Sequence, residues 1–245
     1  MRFIIVVAIA CFIGAAVFAT TSFEERRLLR ADPNALPTDP ALLHFAVSRG
    51  EPLFRAHCAA CHGVSGAGNP TSGVPNLTDN DWLYGTGRIA DIAQVIEYGI
   101  RSRNARAWNL AIMPAYARPR PNPSDPHIQP LSPQEISDVV EFLFDRQGRN
   151  ADAAAAVRGA ALFEGEAGCY DCHSTDAKGD SAIGAPDLTD AISLYGDGGR
   201  DALFQSIAYG RQGVCPAWIR RMSAAAIIET AVYVYSLSHA RNANQ

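Results

Sequence analysis

Two short stretches carry the chemistry of this chain: "CAACH" at 58–62 and "CYDCH" at 169–173. Cysteines at i and i+3 with a histidine at i+4 project to one side of a helical turn. Two thiols so placed can form thioethers with the two vinyl groups of a haem while the histidine reaches the iron, and C-x-x-C-H is the c-type haem attachment sequence. Cys58, Cys61 and His62 would hold one haem c, and Cys169, Cys172 and His173 a second. A four-thiolate zinc site is the rival reading, but it leaves both histidines unused. A pair of disulfides closing two-residue gaps explains nothing else in the chain.

Each iron then needs a ligand opposite its histidine. Met113 in "AIMPAY" stands alone between Met1 and Met222, so the first half of the chain offers no other methionine; a thioether there would raise the reduction potential. The second half has "GVCPAW" in the corresponding place, with Cys215 where a methionine would stand and Met222 seven residues on. Cys215, Met222 or neither could complete the second site. Cys11, the sixth cysteine, lies in an apolar run and reads as a small apolar-tolerant residue.

The surroundings of the two motifs repeat. Cys169 follows Cys58 by 111 positions, and at the same offset "VPNLTD" (74–79) matches "APDLTD" (185–190), "LYG" matches "LYG", and "YG" matches "YG". The register then shortens to 102, which sets Met113 opposite Cys215. The chain is a tandem duplication whose second copy has lost nine residues between these landmarks.

The elements that must position these groups are helical. Residues 40–57 and 152–165 approach the two motifs, and 88–98 and 199–209 are short helices ending at glycines. "SPQE" at 132–135 is a capping box ahead of the stripe Ile136, Val139, Val140 and Leu143. Ser223 caps a last helix bearing Ile228, Ala231, Val232 and Tyr235. Five prolines make 117–131 a loop, in which His127 is solvated. No alternating strand pattern competes, so the expected fold class is all-α: an N-terminal transmembrane helix followed by two tandem class I cytochrome c domains. Their boundaries are 39–147 and 152–245, preceded by an anchor at 1–22 and a tether at 23–38.

The uncharged run Phe3–Ala19 predicts a retained membrane anchor, with a signal peptide cleaved after Ala19 as the alternative. Either sends the chain across the bacterial inner membrane, placing the haem domains in the periplasm. A net charge of −4 leaves no electrostatic footprint for nucleic acid.

"CAACHG", "VPNLTDNDWLYG", "IMPAY", "GAPDLTDAISLYG" and "GRQGVCPAW" together resemble the dihaem subunit III of cbb3-type cytochrome c oxidases, over nearly the whole chain. The resemblance implies electron transfer from a bc complex or a soluble cytochrome c to the oxidase core subunits, with no oxygen chemistry in this chain. It also implies that the carbonyls of Pro75 and Pro186 accept hydrogen bonds from the proximal histidines. The family has methionine where Cys215 stands. A dihaem enzyme oxidising sulfur compounds through a Cys-ligated haem, and an anchored shuttle serving a periplasmic dehydrogenase, are the alternatives.

Overall fold

The computed structural model describes residues 20–190 and 192–242, with side chains as far as His239. The proposed anchor Phe3–Ala19 lies outside them. Among the described residues no helix is long and apolar enough to cross a membrane.

Among the described residues, eight α-helices follow a 3₁₀ turn at Pro33–Thr38: α1 Pro40–His57, α2 Ala59–His62, α3 Ile89–Tyr98, α4 Pro133–Arg146, α5 Ala153–Glu164, α6 Tyr170–His173, α7 Arg200–Tyr209 and α8 Ala224–Asn242. Residues 20–30 are also helical. Extended backbone among the described residues is limited to isolated bridges. The caps are local. Asp39 and Asp152 accept from the backbone N–H groups of Leu42 and Ala155, and Ser132 with Glu135 closes the capping box of α4.

The packing departs from the repeat. Instead of each copy closing on its own last helix, α1 lies along α8, joined by α3, while α4 pairs with α5 and meets α7. Two cores result. One contains Leu42, Phe54, Ile92, Ala231 and Val232; the other contains Ile136, Val140, Leu143, Phe163 and Ile207. The boundaries 39–147 and 152–245 therefore describe the duplication but not the packed halves. The connection at 147–152 supplies a reason. So short a link keeps the helices on either side of it as neighbours, so α4 is taken up by the second copy and α1 is left to receive α8.

The two crossings are built alike. A Cβ on Gly50 would overlap the backbone carbonyl of Glu229, and one on Gly159 that of Asp138, so only glycine allows either approach. Beside each glycine an arginine clips the partner helix. Arg49 donates to the buried Glu229 at 3.2 Å, and Arg158 donates twice to the buried Asp138 at 2.7 Å. Aromatic pairs stand by each crossing, Phe54 with Tyr233 at 5.3 Å and Phe142 with Phe163 at 5.0 Å.

The halves meet through reciprocal contacts. The Gly85 N–H donates to Ser181 and the Gly196 N–H to Pro70. The Tyr84 ring fills the space a side chain on Gly184 would need, and the Tyr195 ring does the same at Gly73. Each member of a pair sits 111 positions from its counterpart, the signature of a two-fold arrangement within one chain.

Residues 23–38 are a second correction. They are not a free tether. Leu28 and Leu36, each 1% exposed, are buried in the α1–α8 core, Arg27 bridges Glu24 and Asp39, and the Asn34 side chain accepts from the Ala90 N–H.

Candidate functional site

Each C-x-x-C-H motif forms one helical turn, with Cys58 and Cys169 just ahead of α2 and α6. All five described cysteines are free thiols. The loop after each motif returns a proline carbonyl to its histidine. His62 Nδ1 lies 3.3 Å from the Pro75 oxygen and His173 Nδ1 3.1 Å from the Pro186 oxygen. A carbonyl only accepts, so Nδ1 carries the proton in both rings and Nε2 keeps its lone pair. Burial lowers both histidine pKa values, with the proline contacts opposing. Both rings are thereby neutral, fixed in tautomer, and able to bind a metal through Nε2.

Burial also raises the thiols of Cys58 and Cys169 to about 11. Cys58 is pushed further by Cys215 and Cys61, and Cys215 reaches about 11 through burial and Cys61. Cys215 therefore sits beside the first motif. Its backbone pairs with Ile100 in both directions, at 2.9 and 3.0 Å, and the next loop donates from Trp218 N–H to Ile96. Met113 makes the mirror arrangement. It pairs with Arg211, Tyr116 N–H donates to Ile207, and Met113 packs against the same core as Cys169 and Leu188.

Chain order set Met113 against His62 and Cys215 against His173; the structure places Cys215 in the half that holds His62 and Met113 in the half that holds His173. The cause is the exchange of α4 and α8, since each loop travels with the helix that follows it. Met222 packs on the α1–α8 core, in the half that holds His62 rather than the half that holds His173.

The residues of both motifs suit a covalently held haem c. Each offers two thiols and an imidazole Nε2, and a sulfur side chain arrives from the other copy. One further feature fits, and the sequence carried no signal for it: the Trp108 Nε1–H is buried without any hydrogen-bond partner.

Carboxylates crowd the seam between the halves. Asp81 is raised from 3.8 to about 6 by burial, with Asp190, Asp79 and Asp187 adding to it, and Asp190 is raised as well. The unfolded chain loses the Asp81 proton first, so the native state holds more protons between these values and stability falls as pH rises from about 4 to about 6. Thermal unfolding of Asp81→Asn across that window should show a shallower decline than the wild type; an unchanged slope would remove Asp81 as its source.

The Cytochrome c family model matches residues 47–145, which is the first repeat in chain order and so runs across both packed halves. The cbb3-type cytochrome c oxidase subunit CcoP of Cereibacter sphaeroides is 38% identical over 86% of this chain and 68% of its own length. That of Rhodobacter capsulatus is 38% identical over 87% and 69%. The cbb3-type cytochrome c oxidase subunit FixP of Rhizobium etli is 35% identical over 82% and 64%. With both haem-attachment motifs, their flanking loops and this shared sequence in place, the chain belongs to the CcoP/FixP family of cbb3-type cytochrome c oxidase subunits.

Proposed function

We propose that this chain is a membrane-anchored dihaem c-type cytochrome that passes electrons from a bc complex or a soluble cytochrome c to the core of a cbb3-type oxidase. The observation that carries the reading is the pair of C-x-x-C-H turns, each with its histidine held by a proline carbonyl so that Nε2 stays free. Haem bound there supplies one-electron exchange. The protein's part is attachment through Cys58, Cys61, Cys169 and Cys172, orientation of the two imidazoles, and choice of the opposite ligand. Cys215 would serve a haem at the His62 site and Met113 one at the His173 site. Phe3–Ala19 holds the chain in the inner membrane, with both haem domains in the periplasm.

Membranes solubilised in mild detergent test this reading. The oxidase core subunits should copurify with the chain, and oxidation of reduced soluble cytochrome c by that complex should be lost when the chain is deleted. Copurification with a periplasmic dehydrogenase, or full oxidase activity without the chain, would overturn it. The half-buried Cys215 thiol beside the first motif is the observation that favours a second reading, a sulfur-oxidising enzyme; turnover of thiosulfate by the purified chain would support that instead.

A further inference from the structure

Charge is spread unevenly along this chain. Residues 99–124 and 202–228 hold eight arginines and not one Asp or Glu. The remainder has 13 basic and 25 acidic residues, a net of −12. These two arginine-bearing segments are the ones that carry Met113 and Cys215, and the fold brings them together. Ile100 pairs with Cys215 and Met113 with Arg211, and the Arg101 guanidinium ties Ala111 in one segment to Gly213 in the other. Past the sulfur residues the two-fold continues. The Ala117 N–H donates to Ala208 as the Ile219 N–H donates to Glu97, so Arg118 and Arg220 hold equivalent places about it.

None of these eight guanidiniums forms an ion pair among the described residues. Six of them are exposed, Arg118 and Arg220 included. Two of the six are held in place by rings rather than by carboxylates: Arg106 lies 4.0 Å over Tyr98 and Arg221 4.1 Å over Trp218. Two half-buried acidic residues, Glu97 beside Ile219 and Asp125 beside Asn122, stand at the margin. Leu110 and Ile112, just before Met113, and Val214, just before Cys215, are exposed apolar side chains. An uncompensated positive surface that includes apolar side chains suits a transient protein partner of opposite charge. The charges steer its approach and the apolar residues give the contact a dry centre. A partner seated there meets the loops that bear both sulfur residues.

We propose that this arginine face is the docking surface for an acidic soluble one-electron carrier that donates to the haems. The assignment rests on the dihaem electron-transfer reading above, and adds the sign of the donor's charge and the surface it uses. The carrier's reduced centre gives up one electron and a ferric haem takes it; no bond or proton changes hands. The net charge of −4 taken alone selects a basic donor. Segregation of the charge reverses that choice at this face, because local potential rather than the total steers encounter.

The test uses the haem-loaded chain in its detergent-solubilised complex, with a reduced acidic cytochrome c and a reduced basic one as stopped-flow probes. The second-order rate with the acidic probe should fall as salt rises. Arg118→Glu combined with Arg220→Glu should cut it about tenfold or more at low salt, and the paired Gln substitutions should cut it less. The basic probe should lose no rate, and both haem potentials should stay at their wild-type values. An unchanged rate with the acidic probe would overturn the proposal, and so would a rate loss matched by a shift in either potential. Loss of the oxidase core from the purified variant would overturn it by making the face a subunit interface. Arginine-dependent flotation with phosphatidylglycerol vesicles, at an unchanged carrier rate, would assign the face to lipid instead. A chain without haem, or one that neither probe reduces, would overturn the electron-transfer reading itself.

Discussion

Replacing Cys215 with methionine should raise the reduction potential of the haem attached at Cys58 and Cys61, and leave that of the haem at Cys169 and Cys172 where it was. A thiolate donates more electron density to iron than a thioether and so stabilises the ferric state. Across haem proteins the axial ligand sets the potential over a range of about 0.8 V, so the shift should be large against measurement error. The variant should also lose a thiolate-type low-spin EPR signal. Which haem responds is the discriminating part. Packing by copies, as chain order suggests, would move the haem at Cys169 and Cys172; the exchanged loops move the other. A shift confined to the Cys169/Cys172 haem would contradict the exchange, and no shift at all would remove Cys215 from the iron.

The second large effect concerns the helix crossings. Gly50→Val should destabilise the protein by about 3 kcal/mol or more, at the upper end of overpacking costs, because the added branch meets the main-chain carbonyl of Glu229 rather than a side chain that could move aside. For a chain of this size that corresponds to a fall of about 6–12 °C in the unfolding midpoint. Gly159→Val should do the same through Asp138. The crossing can be tested separately through its clip. Arg49→Ala and Glu229→Ala should be coupled in a double-mutant cycle although 180 residues separate them. Strict additivity of that pair would mean that α1 does not rest on α8.

Much of this was open to reading from residues alone. Spacing singled out both C-x-x-C-H stretches, and each folds as one helical turn with its histidine against a proline carbonyl. Capping residues placed helices within one or two residues of where they fall; α4, for example, begins right after its cap Ser132. The choice of partner was not legible. The stripes of α4 and α8 are both apolar, and each copy offers an equivalent glycine-bearing helix, so local pattern is satisfied by either pairing. Only the geometry of the 147–152 connection separates them. Residues 23–38 were misread for a related reason. Leu28, followed by the exposed Leu29 in a charged stretch, and Leu36, between Pro33 and Pro37, form no periodic stripe, and their burial depends on a surface of α1 that sequence does not display. Trp108 lies in a segment with no periodic pattern, and an unpaired donor has no signature until its neighbours are known.

The most direct measurement is peptide mass mapping of the full-length chain purified from membranes. The peptides containing Cys58–Cys61 and Cys169–Cys172 should each carry the mass of one covalently attached haem, giving two haems per chain. Haem on one motif alone, or unmodified thiols at both, would contradict the account.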